Sequence, residues 1–237
     1  MILDPLERRC ASLDWAAIAA DLDARGSALT GPILTPKECA ALAALYQEET
    51  PFRSRVVMAR HGFGSGEYKY FAKPLPETIG TLREGLYPHL AETANRWQAQ
   101  LEGKAYPTRH ADYVKLCHAA GQKRPTPLLL KYEDGDYNCL HQDLYGELAF
   151  PLQATILLSA PDADFTGGEF LLTEQRPRMQ SRGEVVTLKQ GEAVIFAVNQ
   201  RPVQGKRGAY RVTMRHGVSR LKSGRRFSLG IIFHDAK

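Results

Sequence analysis

His141-Gln142-Asp143, followed 73 residues later by His216 and ten residues beyond that by Arg226, is the stretch that decides how the chain is read. Two imidazoles and one carboxylate can bind one face of a ferrous ion and leave its other positions open. In an extended strand His141 and Asp143 stand at i and i+2, so both side chains point to one face and reach one metal. His216 must then arrive from another strand.

The intervening sequence supplies such strands. Runs rich in β-branched and apolar residues alternate with turn signals at Phe150–Leu158, Gly167–Leu172, Glu184–Leu188, Gly191–Val198 and Ala209–Val218, and a last run covers Arg226–Phe233. This is the layout of a double-stranded β-helix, a jelly-roll or cupin-like barrel whose mouth carries the ligands, with Arg226 near the metal end. Ahead of it the pattern turns helical. Residues 12–25 have Ser12 as a capping residue and apolar positions at Leu13, Ala16, Ile18 and Leu22, ending at Gly26. Thr35 before Pro36 starts a second helix running to Tyr46, and Ile79–Leu101 and Thr108–Ala120 read as two more. The expectation is an α+β chain forming one domain, 1–237, with a helical and lid part over about 1–125 that buttresses a barrel over about 126–237.

Between the second and third helices lies FRSRVVMARHGFGSGEYKYFAK, Phe52–Lys73. It opens as a strand over Ser54–Ala59, turns through Gly62, Gly64 and Gly66, and mixes Phe63, Tyr68, Tyr70 and Phe71 with Arg60, His61, Lys69 and Lys73. Aromatics among basic residues suit a lid that stacks on a base and contacts phosphates, with Arg60, Phe63, Tyr68 and Tyr70 as candidate substrate residues. An edge hairpin whose aromatics cover the core explains the same pattern.

Composition is compatible with an enzyme core. With 237 residues and 43% hydrophobic content the chain can bury a full core, which excludes a disordered or fibrous protein. Cys10, Cys39, Cys117 and Cys139 fall in no zinc-type spacing and form no disulfide framework, so they read as reduced thiols of a cytoplasmic protein. The opening MILDPLERRC has no apolar leader core, and no run of 18 apolar residues occurs, so neither secretion nor membrane insertion is expected. Net charge is +5, yet Thr173–Arg226 holds 13 Lys or Arg against 3 Glu, which leaves the remainder near −5. The concentration of cations in the catalytic half points to an anionic partner such as a phosphate backbone, although solvated outer strand faces would also carry them.

Arg226 lies one strand from His216. A guanidinium fork there can grip the distal carboxylate of a dicarboxylic acid through two parallel hydrogen bonds, which points to 2-oxoglutarate. Tyr132 in the strand LLLKY adds a hydroxyl, and Ser228, two residues after Arg226, faces the same way; ordinary barrel lining accounts for both as well.

These residues carry a resemblance. His141-x-Asp143, His216 and Arg226 resemble the motif of the 2-oxoglutarate/Fe(II)-dependent oxygenases, and HGVSRLKSG, His216–Gly224, is similar to the distal-histidine segment of AlkB-type oxidative demethylases. YNCLHQDLYGELAFPLQ, Tyr137–Gln153, and GGEFLLTEQRPRMQSR, Gly167–Arg182, match a bacterial family of such oxygenases that acts on damaged nucleic acids, and the likeness extends from about Thr35 onward. It implies Fe(II) held by His141, Asp143 and His216, with 2-oxoglutarate and O₂ as co-substrates. Succinate and CO₂ would be formed, and an N-methylated base would lose its methyl as formaldehyde. AlkB-type enzymes carry a second arginine six residues after the first; here Ile232 stands in that place. Arg176, Arg178 and Arg182 in TEQRPRMQSR are candidates to replace it, unless they form internal salt bridges with Glu169, Glu174 or Glu184.

Three functions from different classes fit. The first is oxidative dealkylation of methylated DNA or RNA. The second is hydroxylation of a protein side chain such as proline, of an amino acid or of another small molecule, because one core serves all of these. The third is a non-catalytic sensor of iron or 2-oxoglutarate, which intact ligands and Arg226 disfavour.

Overall fold

The computed structural model describes residues 4–237; positions 1–3, included in the expected domain 1–237, lie outside the described residues. The described residues form five α-helices: α1 Pro5–Ala11, α2 Trp15–Arg25, α3 Pro36–Ala44, α4 Glu77–Gln100 and α5 His110–Ala119. The first was not expected, although Asp4, Pro5 and Glu7 make a complete capping box with proline at the first turn. It takes Ser12 as its own C-terminal cap, so the expected cap of the next helix is corrected: α2 begins after Asp14, whose carboxylate accepts from the Ala17 N–H at 3.0 Å. Gly26, at φ 77°, ends α2 in the left-handed conformation that glycine adopts without penalty. Thr35 and Glu38 form the capping box of α3 as its sequence requires.

The described residues also form fifteen strands, numbered in chain order. The early ones are β1 Ser27–Pro32, β2 Phe52–Val57, β3 Gly64–Ser65 and β4 Glu67–Phe71. Next come β5 Leu128–Tyr132, β6 Tyr137–His141, β7 Leu152–Leu157, β8 Phe165–Gly167, β9 Phe170–Gln175 and β10 Arg182–Val186. The last are β11 Glu192–Ala197, β12 Gln200–Gly205, β13 Gly208–Val218, β14 Leu221–Gly224 and β15 Arg226–Ile231. A seven-stranded sheet has the order β1-β11-β7-β15-β5-β4-β2, a six-stranded one contains β10-β9-β13-β6-β3 with β12 on β13, and β14 pairs β8. The strand expected over Ser54–Ala59 gives way after Val57 to one 3-10 turn, Met58–His61, that Gly62 closes. The four strands before residue 125 are integral to these sheets: β1 pairs β11 and β4 pairs β5.

Alternation along the strands feeds separate cores on the two faces of the sheet. On β11, Ala193, Ile195 and Ala197 pack with the helices, while Val194 and Phe196 point into the space between the sheets. The helical side gathers Leu82, Leu86, Leu90 and Trp97 of α4 against Ile156, Leu229 and Ile231. Each such side chain contributes about 1.5–3 kcal/mol by leaving water. A strand buried on both faces carries mostly apolar side chains, and β7, buried at every position with only Gln153 and Thr155 polar, was visible in the sequence as such a run. Two facing antiparallel sheets with helices against the larger one form a double-stranded β-helix of the α+β class.

The ligand-bearing strand β6 is held from both sides. A side chain at Gly64, whose φ is 125°, would strike the Tyr137 carbonyl, and one at Gly217 would come within 2.6 Å of the Asn138 carbonyl. Only glycine lets β3 and β13 close on β6. Among the described residues no helix is long and apolar enough to cross a membrane.

Candidate metal centre and its cavity

Antiparallel pairing places His141 directly opposite His216 across β6 and β13, and Asp143 follows two residues beyond β6. One ligand atom from each of His141, Asp143 and His216 lies within 4.8 Å of the others. His141 Nε2 is 3.5 Å from Asp143 Oδ1 and His216 Nε2 is 3.3 Å from Asp143 Oδ2. The Nδ1–H of His141 donates to the Cys139 carbonyl at 2.8 Å, which leaves Nε2 as the free donor atom toward the centre. The three groups fit a hard-to-borderline divalent cation bound on one face.

Electrostatics agree with that use. Burial would raise the Asp143 carboxyl, but hydrogen bonds and charge from His141 and His216 hold it well below the ordinary carboxylate range. Burial lowers His141, and the Asp143 carboxylate with the Cys139 carbonyl reverse this to a net rise. His216, fully enclosed by Phe170 and Phe196, stays depressed by burial despite Asp143. An anionic carboxylate with two Nε2 atoms facing it is the donor set a metal requires.

Around the triad lies a cavity of about 330 Å³, in the size range of small-ligand sites. β15 and β5 supply one wall, because Arg226 pairs Tyr132 and Ser228 pairs Leu130. Tyr132 and Ser228 line the cavity itself. Arg226 sits one layer behind, 1% exposed, lining a neighbouring space that shares Phe170 with the first. Its Nη1 donates to Ser228 Oγ at 3.2 Å, its guanidinium lies over the Tyr132 ring at 5.5 Å, and its Nε has no partner. No carboxylate among the described residues lies within ion-pair distance of it. Burial pulls its pKa below the ordinary arginine value, so an incoming anion would be strongly favoured. Burial raises the Tyr132 hydroxyl to about 12, which keeps it a proton donor. A buried guanidinium with an orphan N–H, bonded to the Ser228 hydroxyl and lying over the Tyr132 ring, suits one end of a dicarboxylate.

The expected substrate residues are divided by the structure. Phe63, 47% exposed, and Tyr68 line the cavity, and the Phe63 ring stacks on His61 at 5.3 Å. Arg60 is exposed and off the lining. Tyr70 is buried with Leu128 and Ile232 behind the wall. Arg176 bonds Glu174 at 2.7 Å and Arg182 lies 3.8 Å from the same carboxylate, which Arg201 also engages. Those two therefore form the internal salt bridges weighed above, and Arg178, at φ 61° in the connecting loop, has no ion-pair partner among the described residues. None of the three lines the cavity.

Sequence reasoning missed Tyr145, Gln153, Leu140 and Leu144. Tyr145 donates to Asp143 Oδ1 at 2.7 Å and Gln153 Nε2 donates to Asp143 Oδ2 at 2.8 Å. Burial first, and then the Asp143 charge, hold the Tyr145 hydroxyl well above its ordinary pKa. The signal that could have found Gln153 is an amide in a strand buried along its whole length, where only Thr155 is also polar. Gln142, between the ligands, anchors the loop by donating to Asn199 Oδ1 at 2.7 Å and to the Met214 carbonyl at 2.8 Å. Leu140 and Leu144 are exposed and complete an apolar rim with Phe63.

Comparison with known proteins places this geometry. Residues 66–236 match the Oxygenase-NA family, described as an oxygenase catalysing oxidative methylation of damaged DNA. Over 167 residues the chain is 52% identical to an uncharacterized protein of Mycobacterium tuberculosis, a match covering 70% of this chain and 72% of that protein. Its fold is similar to that of a prolyl hydroxylase from Trichoplax adhaerens solved with a hypoxia inducible factor oxygen degradation domain peptide, with TM-score 0.58, 12% identity, and 97% and 92% of the two chains covered. A 2OG-Fe(II) oxygenase family oxidoreductase from Burkholderia pseudomallei gives TM-score 0.55 at 13% identity, covering 95% and 93%. At such identities the likeness concerns the fold.

Proposed function

The chain belongs to the Oxygenase-NA family and is a 2-oxoglutarate- and Fe(II)-dependent oxygenase, and on that premise we propose that it removes alkyl groups from damaged bases of DNA or RNA. The observation that carries this reading is the placement of Phe63: a flat, half-exposed ring at the rim of the cavity, with the triad inside it. A base turned out of its strand stacks on such a ring, and the energy of stacking is about 1–3 kcal/mol. The family description supports a damaged nucleic acid as the target. The basic balance of Thr173–Arg226 supports a phosphate backbone alongside.

Bound iron, with 2-oxoglutarate and O₂, supplies the oxidising power that inserts oxygen into a C–H bond. His141, Asp143 and His216 would hold it on one face. Ser228 and Tyr132, with Arg226 behind them, would bind the distal carboxylate of 2-oxoglutarate. Phe63, Tyr68, Leu140 and Leu144 would seat the base and exclude water from the reacting carbon. Hydroxylation of an N-methyl carbon leaves N–CH₂OH, and breaking its C–N bond returns the N–H and releases formaldehyde. We read the chain as one domain working in the cytoplasm, where its four thiols remain reduced.

The test is a coupled assay. Fe(II)-loaded protein is given 2-oxoglutarate and a panel of methylated oligonucleotides, free amino acids and a proline-containing peptide, and succinate and formaldehyde are measured together. Formaldehyde in step with succinate on oligonucleotides alone is expected. Succinate without formaldehyde, stimulated by the peptide or an amino acid, would move the enzyme to the hydroxylase class. His216→Ala should abolish both products.

A further inference from the structure

Among the described residues, Asp143 is the one triad member that makes hydrogen bonds to side chains outside the triad. Each of its oxygens has two lone-pair directions. One direction on Oδ1 is taken by the Tyr145 hydroxyl at 2.7 Å and one on Oδ2 by the Gln153 amide at 2.8 Å, while the remaining sides face the two imidazoles. Turning the carboxylate about its own axis breaks both bonds. Tyr70 backs the arrangement, since its hydroxyl donates to Tyr145 at 3.0 Å and its ring packs edge-on to Tyr145. Gln153 is buried on β7, and its Oε1 has no partner, so flipping the amide would set that oxygen against the carboxylate.

We propose that Tyr145 and Gln153 are positioning residues for the metal: they clamp Asp143 in its ligating orientation with neutral donors, and Tyr70 supports the clamp from behind. Neutrality is the point of the design. A cationic donor at this distance would compete with the metal for the carboxylate's charge. Ile232 keeps the region free of one, because it packs in the cluster of Tyr70 and Leu128 with Tyr145 against it. The cation seated on Tyr70, Arg53, lies over the ring at 4.5 Å and is separated from Asp143 by two hydroxyls. The position where related demethylases carry an arginine is thus filled by an apolar side chain, and the orientation of the carboxylate is set by a tyrosine and a glutamine.

The inference rests on the metal reading of the triad, and the experiment separates the two. Co(II) is titrated into the whole protein, following its visible d–d bands. His216→Ala should lose binding that the wild type shows; equal binding in both would end the triad reading itself. Tyr145→Phe and Gln153→Met should each weaken Co(II) about 10- to 100-fold and alter the bands. Their thermal midpoints without metal, and their 2-oxoglutarate affinity once loaded, should stay near the wild type. Tyr70→Phe should weaken Co(II) by only a few-fold. Unchanged Co(II) affinity and spectra in both Tyr145→Phe and Gln153→Met would overturn the proposal. So would a loss of affinity matched by an equal loss of thermal stability, because a merely structural role predicts that and no change in the bands.

Discussion

Two arginines, Arg201 and Arg226, are each 1% exposed, yet their surroundings differ in kind. Arg201 meets the Glu174 carboxylate and donates to the Asp23 and Ala24 carbonyls at 3.0 and 3.2 Å, tying the end of α2 to β9. Arg226 meets a serine and two aromatic rings. A buried guanidinium is tolerable when its charge is answered within the chain, and a strong anion trap when it is not. The first arginine belongs to the architecture and the second, on the proposed function, to the chemistry, though nothing in their burial tells them apart.

The contrast breaks most sharply under Arg201→Met. That change leaves Glu174 enclosed with one fewer partner and should lower unfolding free energy by about 3–5 kcal/mol, read by urea denaturation, with 2-oxoglutarate affinity preserved. Arg226→Met should do the reverse. Stability should hold or rise, while calorimetric 2-oxoglutarate binding weakens by about 2–5 kcal/mol, and a normal affinity would remove Arg226 from the site.

Acid titration sharpens the comparison between interior and site. Burial depresses His110 and His234 to about 4. The unfolded chain takes up these protons from about pH 6.5 downward while the native state refuses them until about pH 4. Their contribution is thus complete above about pH 6.5 and is lost as pH falls, by on the order of 3 kcal/mol for each histidine at most, which thermal melts of the metal-free protein from pH 7 to 4 would reveal. A flat profile would mean that neither stays neutral inside. The smallest effect belongs to the rim. Phe63→Ala should leave thermal stability within about 0.5 kcal/mol and weaken oligonucleotide binding by about 1–3 kcal/mol, with 2-oxoglutarate affinity untouched.

What the sequence made legible follows range. The separation of His141 and Asp143 is local, and the double-sided burial of β7 and β11 writes itself into apolar runs, so triad and barrel could be read directly. β1 could not: Ser27-Ala-Leu-Thr-Gly-Pro looks like a loop, and its strand character comes from pairing with β11, more than 160 residues away. The same holds for Arg176 and Arg182, whose shared partner Glu174 is nearby but whose enclosure depends on Arg201 arriving from β12. Tyr145 and Gln153 escaped because a hydrogen bond to a metal-binding carboxylate leaves no periodic trace. The missed α1 is different, since its capping box was present and unread.

The close flanking of β6 by Gly64 and Gly217 bears on redesign. The ligand strand sits in a slot without clearance, so a library aimed at new substrates gains nothing from varying its neighbours and stands to lose the fold. Diversity belongs instead at Phe63, Leu140 and Leu144, whose side chains already face solvent. The scaffold therefore separates what must stay fixed for oxidation from what is free to drift toward another target.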